Sequence, residues 1–522
     1  MTYLKKIIFS ICFFALFSLR GQSDSDSLVF FHELNFHSEF EKKYFEQFSN
    51  YSQGAFELIM TIGNDLSAEE IFTQKNLLDQ YIESIQSIPI KKKKSKYYQE
   101  IFDRTHATLL QKYELENYYY QVFENGRYNC VSACAVYAMI FDELGIDYAL
   151  KETPTHVYLI LDPETEQFIV ETTDPQNGLT KFSPGFKGTF VQDLAKSKWI
   201  DQQEFENNTT EILFEKYYFN ESKLGMREIV ALQYSNHAIY ESRKGNYKEA
   251  LNAYQKSYFL YPEDKTRKAL FYVLMEYVAE TGYSEGQQLD VLGHMSRFDE
   301  AEVDNGFIIN EFKKLTEEVF IDQGNIGLYQ SYYEESMKTI GNEKIKDEIH
   351  FIYNHERGRI LHNRGYYDEA LSFLTNALTV KPSNADVEMV LITILEQLVI
   401  EEKDDWKIRG VLVELKGDFP TLEHNNHFGG FYLNSCLTLM EKSYRIEDRS
   451  AGESYKEEFE SLYSLHPRYR INENLVGDAY GQAAVYHFKR GEYNSAKQKL
   501  RKGLQFDPDN NELIDRWRMV SQ

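Results

Sequence analysis

Hydrophobic positions follow two different periods along the chain, and the change between them divides it into three parts. Apolar residues recur every three or four positions at 69–88, at 97–115 and through most of the chain after about residue 215. This spacing places apolar side chains on one face of a helix. The middle part instead predicts a helix at 129–144, strands at 148–151, 156–161 and 168–171, and a turn at 162–166. The sequence therefore predicts an α+β unit between two helical regions.

The second helical region contains one five-residue frame three times, at identical offsets. Its members are Gly245, Tyr247, Ala250, Tyr254 and Pro262, then Gly365, Tyr367, Ala370, Leu374 and Pro382, then Gly491, Tyr493, Ala496, Leu500 and Pro508. The offsets resemble the tetratricopeptide repeat, in which Gly ends the first helix, Tyr packs in the turn, Ala lets the second helix approach and Pro stops it. An unrelated helical bundle is the alternative. Since one repeat cannot bury its own apolar face, we expect the intervening helices to complete a stack over residues 225–522.

The first 22 residues have the layout of a secretory signal peptide. Lys5 and Lys6 precede an apolar run at 7–19, and a polar stretch begins at Arg20. The run is shorter than the ~20 residues that a membrane-spanning helix needs, so an uncleaved anchor is the less favoured alternative. We therefore expect an exported protein, periplasmic or extracellular, with no stable membrane span after cleavage.

The net charge of the chain argues against one class of partner, the nucleic acids. The 522 residues include 57 Lys and Arg against 82 Asp and Glu, a formal net charge of -25. A field of this sign repels phosphate backbones, so we expect no nucleic-acid partner. The ligand clusters that a metal or an organic cofactor requires are missing from the sequence, and we expect neither. The expected partner is a protein or peptide bound by the helical repeats.

Cys130 is the candidate nucleophile among the three cysteines that follow the predicted signal peptide. Asn129 can cap a helix whose first turn holds Cys130, and the positive end of that helix favours a thiolate. The alternative is an inert buried thiol. Cys134 lies one turn further into the helix and Cys436 lies in the helical region, so we interpret both as core residues. A disulfide between Cys130 and Cys134 would strain the helix, so none is expected there.

His156 opens a predicted strand and could hold a proton for a leaving amine. A structural, hydrogen-bonded histidine is the alternative, and that is our interpretation of His106. The acid that orients His156 is either Glu171 or Asp174. A two-residue turn centred on residues 164 and 165 would put Glu171 on the face of His156, whereas an odd-length turn would favour Asp174.

Residues 97–178 resemble the transglutaminase-like superfamily of papain-like cysteine enzymes. The similarity lies in a Cys at a helix start, Gly145-Ile146 after that helix, a His opening the next strand and an acid closing its hairpin partner. Relatives have an Asp after the apolar strand. Here Glu171 occupies that position, with Glu in place of Asp. Asp174 is the residue type found in relatives, but it lies three residues further along the chain. The resemblance implies acyl transfer, in which Cys130 attacks an amide carbonyl and water or an amine resolves the thioester.

We therefore predict an α+β papain/transglutaminase-like domain followed by an all-α tetratricopeptide-type solenoid. The predicted boundaries are a signal peptide at 1–22, a helical N-terminal segment at 23–96, the cysteine domain at 97–224 and the repeats at 225–522. The predicted function is cysteine-dependent acyl transfer by a peptidase, amidase or transamidase. The alternative is a non-catalytic exported scaffold in which the repeats bind a protein and the cysteine fold is silent.

Overall fold

The computed structural model describes residues 28–89, 93–153, 156–181, 184–197, 199–218, 224–286, 288–298 and 305–521. The predicted signal peptide at 1–22 lies outside these residues. The chain divides into two compact units, Met1–Glu302 and Val303–Gln522. The predicted boundary at 224/225 therefore falls inside the first unit, which contains the sheet together with the first of the three repeat frames.

The first unit begins with helices and one short parallel strand pair. The elements are α1 (Glu39–Tyr51), α2 (Ala55–Thr61), α3 (Ala68–Gln86), α4 (Lys94–Thr108), β1 (Lys112–Tyr113), α5 (Gln121–Asn125) and β2 (Arg127–Tyr128). The predicted helix at 97–115 is wrong at its C-terminal end. Gln111 N and Lys112 N donate to Gly126 O at 2.8 and 2.9 Å, and Glu114 N donates to Tyr128 O at 2.8 Å. These backbone groups form the β1–β2 pair and cannot also continue a helix.

Next comes the α+β core of the first unit. It consists of α6 (Cys130–Leu144), β3 (Tyr148–Thr153), β4 (His156–Leu161), β5 (Phe168–Val170) and β6 (Leu179–Lys181). The strands form an antiparallel sheet in the order β3-β4-β5-β6. The helix and three strands expected from the sequence are confirmed, whereas β6 was missed because it is short and half polar. Cys134 Sγ contacts Val157 O at 3.4 Å, which ties α6 to β4.

The remaining helices of the first unit are α7 (Pro184–Lys196), α8 (Gln202–Asn207), α9 (Thr210–Tyr218), α10 (Met226–Arg243), α11 (Tyr247–Leu260), α12 (Asp264–Thr281) and α13 (Val291–Met295). Tyr158, Ile160 and Ile169 of the sheet form a buried cluster with apolar residues from α7 to α9 and the loop between α7 and α8. We call α10 and α11 the first repeat pair, because they carry the first repeat frame.

A buried ion pair ties the start of α1 to the first repeat pair. Lys256 Nζ lies 2.8 Å from Glu41 Oε1, and the two side chains are 2% and 1% exposed. Tyr234 OH donates to the same oxygen at 2.8 Å, and His37 N donates to Oε2 at 2.9 Å. A buried charge is tolerated only when it is paired and hydrogen-bonded in this way.

The second unit is helical throughout its described length. Its elements are α14 (Asn305–Leu315), a π-helical turn (Thr316–Asp322), α15 (Ile326–Thr339), α16 (Glu343–Asn363), α17 (Tyr367–Val380), α18 (Ala385–Glu401), α19 (Asp405–Asp418), a 3₁₀ turn (Pro420–His424), α20 (Asn426–Arg445), α21 (Arg449–Leu465), α22 (Glu473–Lys489), α23 (Tyr493–Phe506) and α24 (Asn511–Ser521).

The repeat frame does what the sequence predicted at most of its positions. Gly365 follows α16 with a φ of +80°, a left-handed conformation that favours glycine, and Gly245 and Gly491 behave likewise. Ala370 and its counterparts in the other two frames are buried where the paired helices meet. Tyr493 departs from the expectation of a packed turn residue, because 53% of its surface is exposed.

Candidate functional site

Cys130 is the first residue of α6, directly after a capped helix start. Asn129 Oδ1 accepts a hydrogen bond from Ser132 N at 2.9 Å, and Asn129 N donates to Ser132 Oγ at 2.9 Å. The cap at Asn129 is the one predicted from the sequence, and Ser132 completes it as a reciprocal capping box. Cys130 is a free thiol and is half-buried. The sulfur therefore lies at the positive end of a helix dipole and remains accessible.

The side-chain amide of Asn129 is held by backbone carbonyl groups of the segment that follows β1. Its Nδ2 donates to Leu115 O at 3.3 Å and to Asn117 O at 3.2 Å. Ser132 Oγ donates to Asn117 Oδ1 at 2.8 Å. Asn117, Asn129 and Ser132 are all buried. Both members of the capping box are thus fixed by the segment that follows β1.

His156 and Glu171 form a direct pair across the hairpin. His156 Nε2 lies 2.9 Å from Glu171 Oε1 and 2.7 Å from Oε2. The β4–β5 register pairs Leu159 with Val170, and the pairing is centred between residues 164 and 165. This is the even-length connection under which the sequence put Glu171, rather than Asp174, on the face of His156.

Asp174 has a different role in the structure. Its Oδ1 accepts hydrogen bonds from Gln176 N at 3.2 Å and Asn177 N at 3.1 Å. An aspartate that binds backbone amides two and three residues later caps a tight turn. The structure therefore brings Cys130, His156 and Glu171 together and leaves Asp174 in the loop after them.

The protonation of His156 follows from its two neighbours. Burial disfavours its charged form, but hydrogen bonds with Cys130 and Glu171 outweigh burial and raise the pKa of His156 to about 9. Burial also opposes the charge of Glu171, yet hydrogen bonds from His156 and Thr173 keep the pKa of Glu171 below its ordinary value. Since Nε2 is bound to Glu171, Nδ1 is the ring nitrogen left for the thiol. The arrangement is a carboxylate, an imidazolium and a sulfur in sequence, which suits nucleophilic catalysis.

Gly178 is one residue of this site that the sequence analysis did not single out. Glu171 N donates to Gly178 O at 2.7 Å. A Cβ at position 178 would collide with the carbonyl oxygens of Glu171 and Asp174. Only glycine lets the loop fold back this closely, which fixes Glu171 under His156. The Asn177-Gly178 dipeptide is a turn marker and could have drawn attention to it.

Tyr113 is a second residue that the sequence analysis missed. The β1–β2 register places Tyr113 opposite Tyr128, and their rings meet edge to face with centroids 5.9 Å apart. Burial raises the pKa of Tyr113, and the nearby charges of Cys130 and Glu171 raise it further. Its side chain is still 44% exposed, so it remains open to solvent. Tyr113 was missed because position 113 lay inside the predicted helix at 97–115.

The other thiols and His106 lie away from this arrangement. Cys134 and Cys436 are completely buried, and burial raises the pKa of Cys134 well above its usual value and that of Cys436 to about 12. His106 is buried and its Nδ1 lies 3.3 Å from Leu110 O. The interpretation of these three residues as packing or structural is confirmed.

Over the ranges given above, the chain shows no cluster of three or more His, Cys, Asp or Glu that could hold a metal ion. Within the same ranges, none of the helices has the length and apolar character needed to cross a membrane.

Comparison with known proteins identifies one part of the chain. The family profile "Tetratricopeptide repeat" matches residues 353–384, which span the end of α16 and all of α17. Residues 353–384 are therefore similar to a tetratricopeptide repeat. Stacked repeats of this kind form extended surfaces that suit a protein or peptide partner. No curated protein matches the sequence significantly.

Two solved structures are similar to this chain at low scores. The tetratricopeptide domain of P58(IPK) has a TM-score of 0.19 and 12% identity, covering 65% of this chain and 97% of that one. Naa15/Naa10 bound to HypK-THB has a TM-score of 0.17 and 13% identity, covering 64% and 57%. The assignment of the repeat rests on the family profile and on the repeat frame.

Proposed function

We propose that this chain is an exported helical-repeat protein that binds a protein partner and carries a cysteine-dependent acyl-transfer site of the transglutaminase-like type. The observation that carries the catalytic part is the bidentate contact of Glu171 with His156, which also forms a hydrogen bond with Cys130 at a capped helix start. A base held between an orienting acid and an accessible nucleophile is the arrangement that nucleophilic catalysis requires. The repeats support the binding part.

In this mechanism Cys130 attacks the carbonyl carbon of an amide as a thiolate. A C–S bond forms, the C–N bond breaks, and His156 gives its proton to the leaving amine. Water or a second amine then attacks the thioester, returns its proton to His156 and releases Cys130. Glu171 keeps the imidazole ring in place and stabilises its charged form through both carboxylate oxygens.

The export part of the proposal rests on the charged and apolar pattern of residues 1–22. The mature protein should begin near residues 19–24 and be found outside the cytoplasm. N-terminal sequencing of the soluble protein tests this, and recovery of Met1 would refute it.

Alkylation by iodoacetamide across pH tests the catalytic part without knowledge of the substrate. Cys130 should react selectively and still react below pH 7, because it is accessible at a capped helix start beside His156. His156→Ala should abolish that low-pH reaction. Cys134 and Cys436 are buried in the same chain and serve as internal controls.

The opposite result would favour a scaffold with a silent thiol. If Cys130 reacts below pH 7 no faster than an unperturbed cysteine, or if His156→Ala leaves its rate unchanged, the catalytic proposal is wrong. The protein would then be a repeat protein whose work is done by its helical partner-binding region.

A further inference from the structure

We propose that Tyr240, on α10 of the first repeat pair, is a positioning residue for Cys130. It acts through Asn117 and Asn129, so the thiol site is complete only when the first repeat pair is packed against it. This inference rests on the proposed function of Cys130. It assigns part of the site to a helix that the sequence placed in the partner-binding array.

The hydroxyl of Tyr240 lies where three backbone and side-chain groups converge. It donates to Leu115 O at 3.0 Å and accepts from Asn117 N at 3.3 Å. Asn129 Nδ2 lies 3.5 Å from the same oxygen. Tyr240 is 7% exposed. The hydroxyl therefore joins the segment after β1 to the residue that caps α6.

A second side chain of α10 reaches the same segment. Gln233 Nε2 donates to Asn117 O at 3.3 Å, which is also an acceptor for Asn129. Gln233, Asn117 and Ser132 are each 0% exposed. Water cannot readily replace a lost partner in such a network, so each group depends on the others for its orientation.

One face of α10 holds the whole segment 115–118. Tyr118 OH lies 3.0 Å from His237 Nδ1, and the rings of Tyr118 and Tyr240 meet edge to face at 5.4 Å. Gln233, His237 and Tyr240 are spaced by four and then three residues, which is one stripe of a helix. Arg243 at the end of this stripe pairs with Glu116. The contact is therefore continuous over more than two turns.

The chain of contacts leads directly to the thiol. Without the Tyr240 hydroxyl, the buried Asn117 N–H loses its acceptor, and the segment must move to find another. Asn129 binds that segment through Nδ2 and caps α6 through Oδ1. A shift of Asn129 weakens the cap and moves the first turn of α6, which carries Cys130. The thiol is then held less well in its place beside His156.

The test is the rate of Cys130 alkylation by iodoacetamide in the full-length protein between pH 5.5 and 9. Tyr240→Phe should lower the rate at pH 6 by about 2- to 5-fold, the range expected when a helix-end contribution of this kind is lost. At pH 9 the rates of the two proteins should converge. A merely structural tyrosine would not produce this pH-dependent difference.

Tyr234→Phe is the matched control. Tyr234 lies on the same helix, and its buried hydroxyl donates to Glu41 Oε1 at 2.8 Å rather than to the Asn117 segment. We expect this variant to melt at a lower temperature and to keep the wild-type alkylation profile. An equal loss of low-pH rate in both variants would show that general loosening, rather than positioning, explains the effect.

Asn129→Ser provides a second route if Tyr240→Phe folds poorly. Serine keeps an oxygen that can cap α6 but lacks the amide group that reaches Asn117 and Tyr240. The single variant should show the same low-pH loss, and Tyr240→Phe should add nothing to it, because residues acting through one another are not additive. Additive losses would refute the route through Asn129.

The outcomes separate this inference from the proposed function. If His156→Ala lowers the low-pH rate but Tyr240→Phe does not, the inference is wrong and the catalytic site stands. If wild-type Cys130 shows no His156-dependent reaction at all, the proposed function fails, and the inference fails with it.

Discussion

Replacing Glu171 by Gln is the change that should reveal most about the site. The amide keeps the shape and one oxygen acceptor but removes the charge that lies 2.7–2.9 Å from His156 Nε2. Burial lowers the pKa of His156, and Cys130 and Glu171 together raise it to about 9. With Glu171 neutral, the pKa of His156 should fall toward its ordinary value near 6.5, because burial is then opposed by Cys130 alone.

The magnitude follows from that difference. A pKa of about 9 in place of 6.5 corresponds to about 3 kcal/mol of preference for the charged ring, at 1.36 kcal/mol per pH unit. Glu171 and Cys130 both contribute to this preference of His156 for the charged form. If Glu171 supplies about half of it, its loss shifts the protonation equilibrium of His156 by ~10-fold, and even a return of its pKa to 6.5 would lower the imidazolium population at pH 7 by only about 4-fold.

Two measurements check this prediction. NMR titration of the His156 ring gives its pKa directly in wild type and in Glu171→Gln. Alkylation of Cys130 at pH 7 gives the rate, and it should fall by no more than about 4-fold. Asp174→Asn is the control, because Asp174 caps a turn and does not bind His156. A larger loss in Asp174→Asn than in Glu171→Gln would show that the orienting acid has been misassigned.

Three further predictions concern pH and stability. The pKa of His156 is raised on folding, so its contribution to the free energy of unfolding should be complete below about pH 6.5 and disappear as the pH rises through about 9. Urea unfolding of wild type and His156→Gln at both pH values tests this. Gly178→Ala should uncouple Glu171 and lower Cys130 alkylation at pH 7 by as much as Glu171→Gln does, with melting as the fold check. Glu41→Gln should destabilise the first unit by about 3–5 kcal/mol, because it leaves Lys256 charged and buried. The exposed Lys196→Gln should change stability by less than about 0.5 kcal/mol, and a similar loss in both would contradict the reasoning.

The sequence was informative wherever a local rule decides the structure. The cap at Asn129 depends on residues three positions apart, and the choice of Glu171 over Asp174 depends only on whether a turn is even or odd. The repeat frame likewise reports backbone conformation, as the positive φ of Gly365 shows. These features could be read before any tertiary contact was known.

Other features depend on residues far apart in the chain and could not be predicted. The strand at Lys112–Tyr113 looks helical by spacing, and only its pairing with β2 overrides that preference. Tyr113 was missed for this reason. Tyr240 belongs by its spacing to an ordinary repeat helix, and nothing in the sequence links it to Asn129, 111 residues earlier.

The buried Glu41–Lys256 pair also constrains when the first unit can fold. Its two residues are 215 positions apart. At a synthesis rate of about 5–20 residues per second, Glu41 must wait roughly 10–40 s before Lys256 has been made. During this interval Phe45, whose ring later packs against Tyr234 and Phe259, has no native partner from the first repeat pair. The nascent chain is therefore exposed to aggregation over this period, and a chaperone that covers α1 would act before α11 exists.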